Sequence, residues 1–278
     1  MIDSIMHYEF MQNAFIACLL ASIVCGIIGV IVVEKHLVMM SGGIAHTAYG
    51  GVGLGYFLGI EPIFGAFFFA LCAALGIGYM KRKGKVYSDV IISLFWSLGM
   101  AMGILFIGFM PGYPPDMSSY LFGSILSVTK NDIYLMVILT IVVVLIISSF
   151  FHYWQSYLFD EEFATVIGMK TGLLEYGLLI LIAMTVVVML RVVGIILVIA
   201  LLSAPAATAA LFTKKLKSRM LLAVLFSGVF CLSGLWISYK MNIASGASIV
   251  VLSIMGYLTC LLIHFLLRKR SAMRYNIR

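Results

Sequence analysis

The sequence predicts an all-α, polytopic membrane protein, and three observations carry that expectation. Of its 278 residues, 63% are hydrophobic and 10% are charged, where a soluble domain has about 45–50% and 25%. The mean hydropathy is +1.15, more apolar side chain than one water-facing core of this length can hide. The apolar residues also come in runs of about 20, the length a helix needs to cross a bilayer with its backbone groups satisfied internally. A soluble enzyme and a disordered tail are excluded, and residues 1–278 read as one transmembrane domain.

Taken in order, the runs are 10–33, 44–60, 62–80, 89–110, 132–151, 173–190, 192–212, 220–239 and 246–267. That makes about nine crossings, with eight as the alternative if 173–212 is not a hairpin. Charge placement tests the count. Lys81, Arg82, Lys83 and Lys85 form one basic cluster, Lys214, Lys215, Lys217 and Arg219 a second, and Arg268, Lys269 and Arg270 a third. Basic residues collect in cytoplasmic loops. Nine crossings put every cluster inside, with the N-terminus outside and the C-terminus cytoplasmic. Arg191 then falls at the outer interface, where its long side chain can snorkel. Asp3 and Glu9 stand where a secretory signal has its basic region, so the first run is expected to remain as a span. The net charge of +7 sits in these loops rather than on one basic face, which excludes nucleic acid as a partner.

Two connections are long. Pro111 to Pro115, followed by Asp116, predicts a rigid outer turn, because proline fixes φ and cannot continue a helix. The inner stretch 160–172 predicts a short amphipathic helix. Asp160 caps it, Glu161 and Glu162 suit its positive end, Lys170 suits the other end, and Gly172 stops it. Phe163, Val166 and Ile167 fall on one face. Three acids disfavour an anionic leaflet, so the expected occupant of that face is a cytoplasmic protein.

Inside the spans, 41–59 is the most informative segment. Gly51, Gly55 and Gly59 repeat every four residues, the spacing that lets membrane helices meet backbone to backbone. His46 lies in the same span. An ionisable group at membrane depth is costly and marks a pathway more often than packing, and imidazole is a common transition-metal ligand. Met39 and Met40 offer soft thioethers nearby. Pro205, among alanines, predicts a kinked or broken helix. Ser245 to Ser248 can cap the last span. Cys18, Cys25, Cys72, Cys231 and Cys260 lie in apolar runs without a C-x-x-C pair and read as packing residues.

No P-loop and no hydrolase or kinase motif is present, and the span interiors lack the carboxylates of a proton- or sodium-coupled carrier. A separate ATPase that works the spans through the 160–172 helix accounts for both features. A stand-alone carrier or channel is the rival reading.

Nearly the whole chain, from Phe10 to Leu262, resembles the membrane permeases of zinc/manganese-type ABC importers, relatives of the iron-siderophore and vitamin B12 permeases. The residues that carry the resemblance are IAHTAYGGVGLGYFLG at 44–59, SDVII from Ser88, YLFGSIL from Tyr120, FDEEFA from Phe159, VGIILVIALLSAPAAT from Val193, and GLWISY from Gly234 with SGASIV from Ser245. The resemblance implies a type II ABC importer-like permease in the plasma membrane, homodimeric, with its pathway on the dimer axis. A cytoplasmic ABC ATPase, where ATP binds, would seat on each subunit at Asp160, Glu161, Phe163, Ala164 and Gly168. An extracytoplasmic metal-binding protein would deliver zinc or manganese. No cofactor is implied in this chain. His46 matches the family's gate histidine. Where the family commonly has aspartates, this chain has Gly42 and Asn242, so Asn242 and Asp116 are the expected weaker contacts. A permease for a metal chelate or organic substrate is the nearest alternative.

Overall fold

The computed structural model describes residues 8–84, 87–111, 118–123 and 125–275, and no strand occurs among them. The helices are α1 (Glu9–Glu34), α2 (Val38–Leu58), α3 (Pro62–Arg82) and α4 (Ser88–Gly108), then the short α5 (Ser118–Phe122) and a 3₁₀ turn at Ile125–Ser127. They continue as α6 (Lys130–Ser149), α7 (Phe151–Phe159), α8 (Glu161–Val166), α9 (Thr171–Val193), α10 (Ile195–Phe212), α11 (Leu216–Met241) and α12 (Ser245–Tyr275).

Eight of the described helices are long and apolar enough to cross a membrane. A ninth, α2, has the length at 21 residues, but six glycines and His46 dilute its hydropathy. Ion pairs show that α2 nevertheless runs the full depth of the bundle. One belt joins Glu9 to Lys130 at 3.6 Å, and Arg191 to Asp132 at 2.6 Å and to Glu61 at 3.5 Å. The opposite belt joins Lys35 to Glu161 at 2.7 Å, Lys81 and Arg82 to Glu175 at 3.4 and 3.2 Å, and Arg219 to Glu34. α1 leaves the first belt at Glu9 and reaches the second at Glu34. α2 returns the chain to Glu61, and α3 carries it back to Lys81. The described helices thus make nine traverses, with their ionised groups confined to the ends, where water can reach them.

Because lipid is as apolar as leucine, close packing rather than water exclusion holds such helices together. α2 is wedged between α3 and α4 for that reason. A Cβ on Gly51 would overlap the Gly65 carbonyl of α3, and one on Gly50 would overlap the Gly99 carbonyl of α4. Thr47 adds a polar tie, its hydroxyl 2.8 Å from the Gly43 carbonyl and 3.0 Å from the Phe95 carbonyl of α4. Gly55 meets Pro62 in the same way. Gly59, expected to pack, has open space around it. At φ 68° it is the left-handed residue that ends α2.

Residues 173–212 form two helices. Neither charge in the stretch makes the break. Gly194 does, at φ 80°, with its backbone pressed against that of Gly123 at φ 67°. A side chain on either would strike the other segment. Pro205 does not break α10, which runs unbroken through it. Proline removes a single N–H, the partner of the Leu201 carbonyl, and the rest of the helix keeps its own bonds.

The most enclosed spans are α1 and α9, each 67% buried, while α4 is 22% and α12 11% buried. α4 and α12 therefore present most of their surface to lipid or to partners.

Candidate functional site

His46 stands near the middle of α2, 12 residues or roughly 18 Å from its Leu58 end. Its imidazole stacks on the indole of Trp96 from α4, ring centres 3.9 Å apart and planes 14° from parallel. Its Nδ1 lies 3.4 Å from Sδ of Met100, one turn further along α4. The ring is half-buried, so one edge stays accessible while the stack fixes its plane. Gly42 lies one turn away, under the same indole. A Cβ there would sit 3.4 Å from Trp96 and 3.6 Å from Ile199 of α10. Both distances are ordinary van der Waals contact, so a Cβ at this position would pack against Trp96 and Ile199 without displacing either. Among the described residues, no three His, Cys, Asp or Glu side chains converge on one point.

Asn242 is not brought to His46. It ends α11 at φ 53°, exposed, at the end of the bundle that holds the first ion-pair belt. Asparagine tolerates the left-handed region better than other side chains, and that conformation accounts for its type here. Replacing Asn242 by Gly is expected to leave stability and transport unchanged. Asn242→Ala should cost about 1 kcal/mol, a fall of roughly 2–4 °C in the thermal midpoint of purified protein. A loss of transport with Asn242→Gly would put the carboxamide in the pathway after all. Asp116 lies outside the described residues, as does most of the proline-rich turn. Glu61, a carboxylate of the first belt, is engaged by Arg191.

At the opposite end, α8 is shorter than the expected 160–172. Asp160 caps it, its carboxylate accepting from the Phe163 N–H at 2.9 Å, and the helix ends at Val166 with Gly168 as the left-handed stop. Gly168 does what was expected of Gly172, because it comes first in the chain. Lys170 then precedes α9 and Gly172 lies within it, against Arg82. Phe163, Val166 and Ile167 stay 58%, 84% and 54% exposed. Ala164 does not join them. One residue on from Phe163 it has turned about 100° and is fully buried inside the chain.

Glu161 is already paired, with Lys35 at the α1–α2 elbow, and the Lys35 ammonium also sits 3.7 Å over the Tyr157 ring. Burial and the neighbouring carboxylates of Glu161 and Glu175 push the Tyr157 hydroxyl well above its ordinary pKa. Trp96, Met100 and Lys35 were not singled out from the sequence. The i, i+4 spacing of Trp96 and Met100 was the available signal, but it is also what plain packing looks like.

The chain matches the model of the ABC 3 transport family over residues 7–264. It is 42% identical to the uncharacterized membrane protein slr2045 of Synechocystis, over 92% of this chain and 91% of that one. It is 34% identical to the manganese transport system membrane protein MntC of Listeria monocytogenes, over 91% and 90%. Among solved structures, PsaBC from Streptococcus pneumoniae in complex with Fab superposes with a TM-score of 0.84 at 34% identity, covering 93% of each chain. An inward-facing metal-chelate type ABC transporter shares the fold alone, at TM-score 0.76 and 14% identity. With a family model spanning residues 7–264 and relatives at 34–42% identity over nine-tenths of its length, the chain belongs to the ABC 3 transport family.

Proposed function

We propose that this chain is the permease of an ABC importer for a divalent transition metal, manganese first and zinc second. The observation that carries the reading is the end-to-end likeness to manganese permeases such as MntC, with neither protein exceeding the match by more than a tenth of its length. The geometry supports it at two places. α8 offers an exposed apolar face outside the bilayer, suited to the groove of a cytoplasmic ATPase, with Phe163 and Ile167 as anchors and Asp160 and Gly168 fixing the helix ends. His46 offers one fixed imidazole near the middle of α2 and no closed cage, as a path that must release its cargo requires.

In this reading the second belt faces the cytoplasm with the basic loops, and the N-terminus lies outside. The chain works as a homodimer, and a metal-binding protein delivers the ion to the outer loops. ATP-driven closure of the ATPases moves α8 and rocks the spans about His46. This subunit performs no hydrolysis itself.

The test is uptake of radiolabelled manganese, zinc and iron by the permease–ATPase complex in liposomes. Uptake is expected only with ATP and the ATPase, and His46→Ala should lower it at least tenfold with ATP hydrolysis still present. Equal uptake by His46→Ala would take the imidazole off the path. Uptake by this chain alone would make it a channel or secondary carrier. Transport indifferent to free metal would point to a chelate or organic substrate.

A further inference from the structure

At the second belt the surface carries a cavity of about 500 Å³ between α7 and the start of α11. Lys214, Lys215, Lys217 and Arg219 line it on one side, Phe151 and Phe159 on the other. Its one carboxylate, Glu34, is neutralised by Arg219. The three lysines have no carboxylate partner among the described residues, so the cavity holds a net positive charge.

A second hollow, about 280 Å³, continues from it along the bundle. Here α1 packs against both α6 and α11, and Ile27 of α1 floors the furrow left between them. Val144, Ile147, Met220 and Val224 make its walls, almost wholly apolar. The furrow opens sideways to where lipid chains lie, since Val144 and Leu221 on its rim are 38% and 65% exposed. Phe151 and Lys217 line both hollows, so the two adjoin and together offer a groove that is basic at one end and apolar at the other.

A soluble anion would satisfy only the lysines, and a neutral lipid only the furrow. One molecule that satisfies both has a negative head and a hydrocarbon tail, set at the depth where the bilayer places them. Basic pockets between spans at the inner leaflet bind such headgroups. We propose that this groove holds an anionic diacyl phospholipid, with its phosphate on Lys214, Lys215 and Lys217 and one acyl chain in the furrow between α6 and α11. The site is independent of the transported substrate and lies away from His46.

The experiment is native mass spectrometry of the purified full chain, titrated with phosphatidylglycerol or phosphatidylcholine of identical acyl chains. Phosphatidylglycerol should bind on the order of a hundredfold more tightly, each lysine contributing a factor of about five. Lys214→Ala, Lys215→Ala and Lys217→Ala together should abolish that preference, and these exposed side chains leave the bundle intact. Ser148→Phe fills the furrow without touching the lysines, and should weaken phosphatidylglycerol at least tenfold. Lys217→Gln, the mildest change at the junction, gives a partial loss if the triple variant does not fold. Equal binding of the two lipids, an unaffected triple variant, or displacement of phosphatidylglycerol by glycerol phosphate at matched concentration would overturn the proposal. Displacement of the lipid by a purified cytosolic ATPase would overturn it too, by assigning the groove to a protein interface.

Discussion

Gly51→Leu is expected to yield almost no folded protein. The helix axes of α2 and α3 approach so closely that even a Cβ at Gly51 would overlap the Gly65 carbonyl and reach the Ala66 backbone. These are main-chain atoms and cannot rotate aside. On the other flank Gly50 and Gly53 press on Gly99 and Gly103 of α4, so α2 cannot retreat. Overpacking ordinarily costs about 1–3 kcal/mol and more where nothing can move, a large share of a stability of order 10 kcal/mol. The readout is monodisperse protein recovered from detergent and its thermal midpoint. Gly177→Ala is the matched control: Gly177 lies inside α9 with nothing within 4 Å of the added Cβ. It should be neutral, or more stable by roughly 0.5–1 kcal/mol from the backbone entropy removed. Normal recovery of Gly51→Leu would refute the backbone-to-backbone packing of α2.

Phe163→Asp is expected to separate the permease from its ATPase without unfolding either. The ring is 58% exposed, on the face of α8 that the rest of the chain leaves uncovered, so little internal packing is lost. A buried aromatic anchor at an interface is worth several kcal/mol, and an aspartate there adds the cost of a desolvated charge. Co-purification of the ATPase should fall at least a hundredfold, and ATP-driven uptake should fall to the level without ATP. Ile167→Asp should act in the same direction. Ala164→Ser, facing inward, should change the stability of the permease before its affinity for the ATPase. Retained co-purification with both Phe163→Asp and Ile167→Asp would remove α8 from the docking surface.

Much of the fold was legible because in lipid the backbone permits few alternatives. Runs of about 20 apolar residues must be helices, and three basic clusters, at 81–85, 214–219 and 268–270, all fall on one side when the spans alternate. What sequence reading missed follows from the same physics. Arg191 and Glu175 looked like interruptions of an apolar block. Each instead ends a span by pairing with charges from other helices, Arg191 with Asp132 and Glu175 with Lys81 and Arg82. Such partners are remote in sequence and invisible to a window. The real break, Gly194, carries no charge and acts only because Gly123 stands opposite. The α8 terminus shows local ambiguity, with two glycines four residues apart either of which could stop a helix. At the candidate site, His46 was visible as an ionisable group out of place. Trp96 was not, since an aromatic ring in a span announces nothing about its neighbours. Only the tertiary fold shows it lying over Gly42 and fixing the plane of His46.

The single-residue turn at Gly194 also decides where the molecule can be handled. With no slack between α9 and α10, a protease finds nothing to grip there, and an inserted epitope or fluorescent tag would pry two buried spans apart. Labels for reporting sidedness therefore belong at the basic connection after Arg82, where α3 and α4 are separated by several residues rather than one.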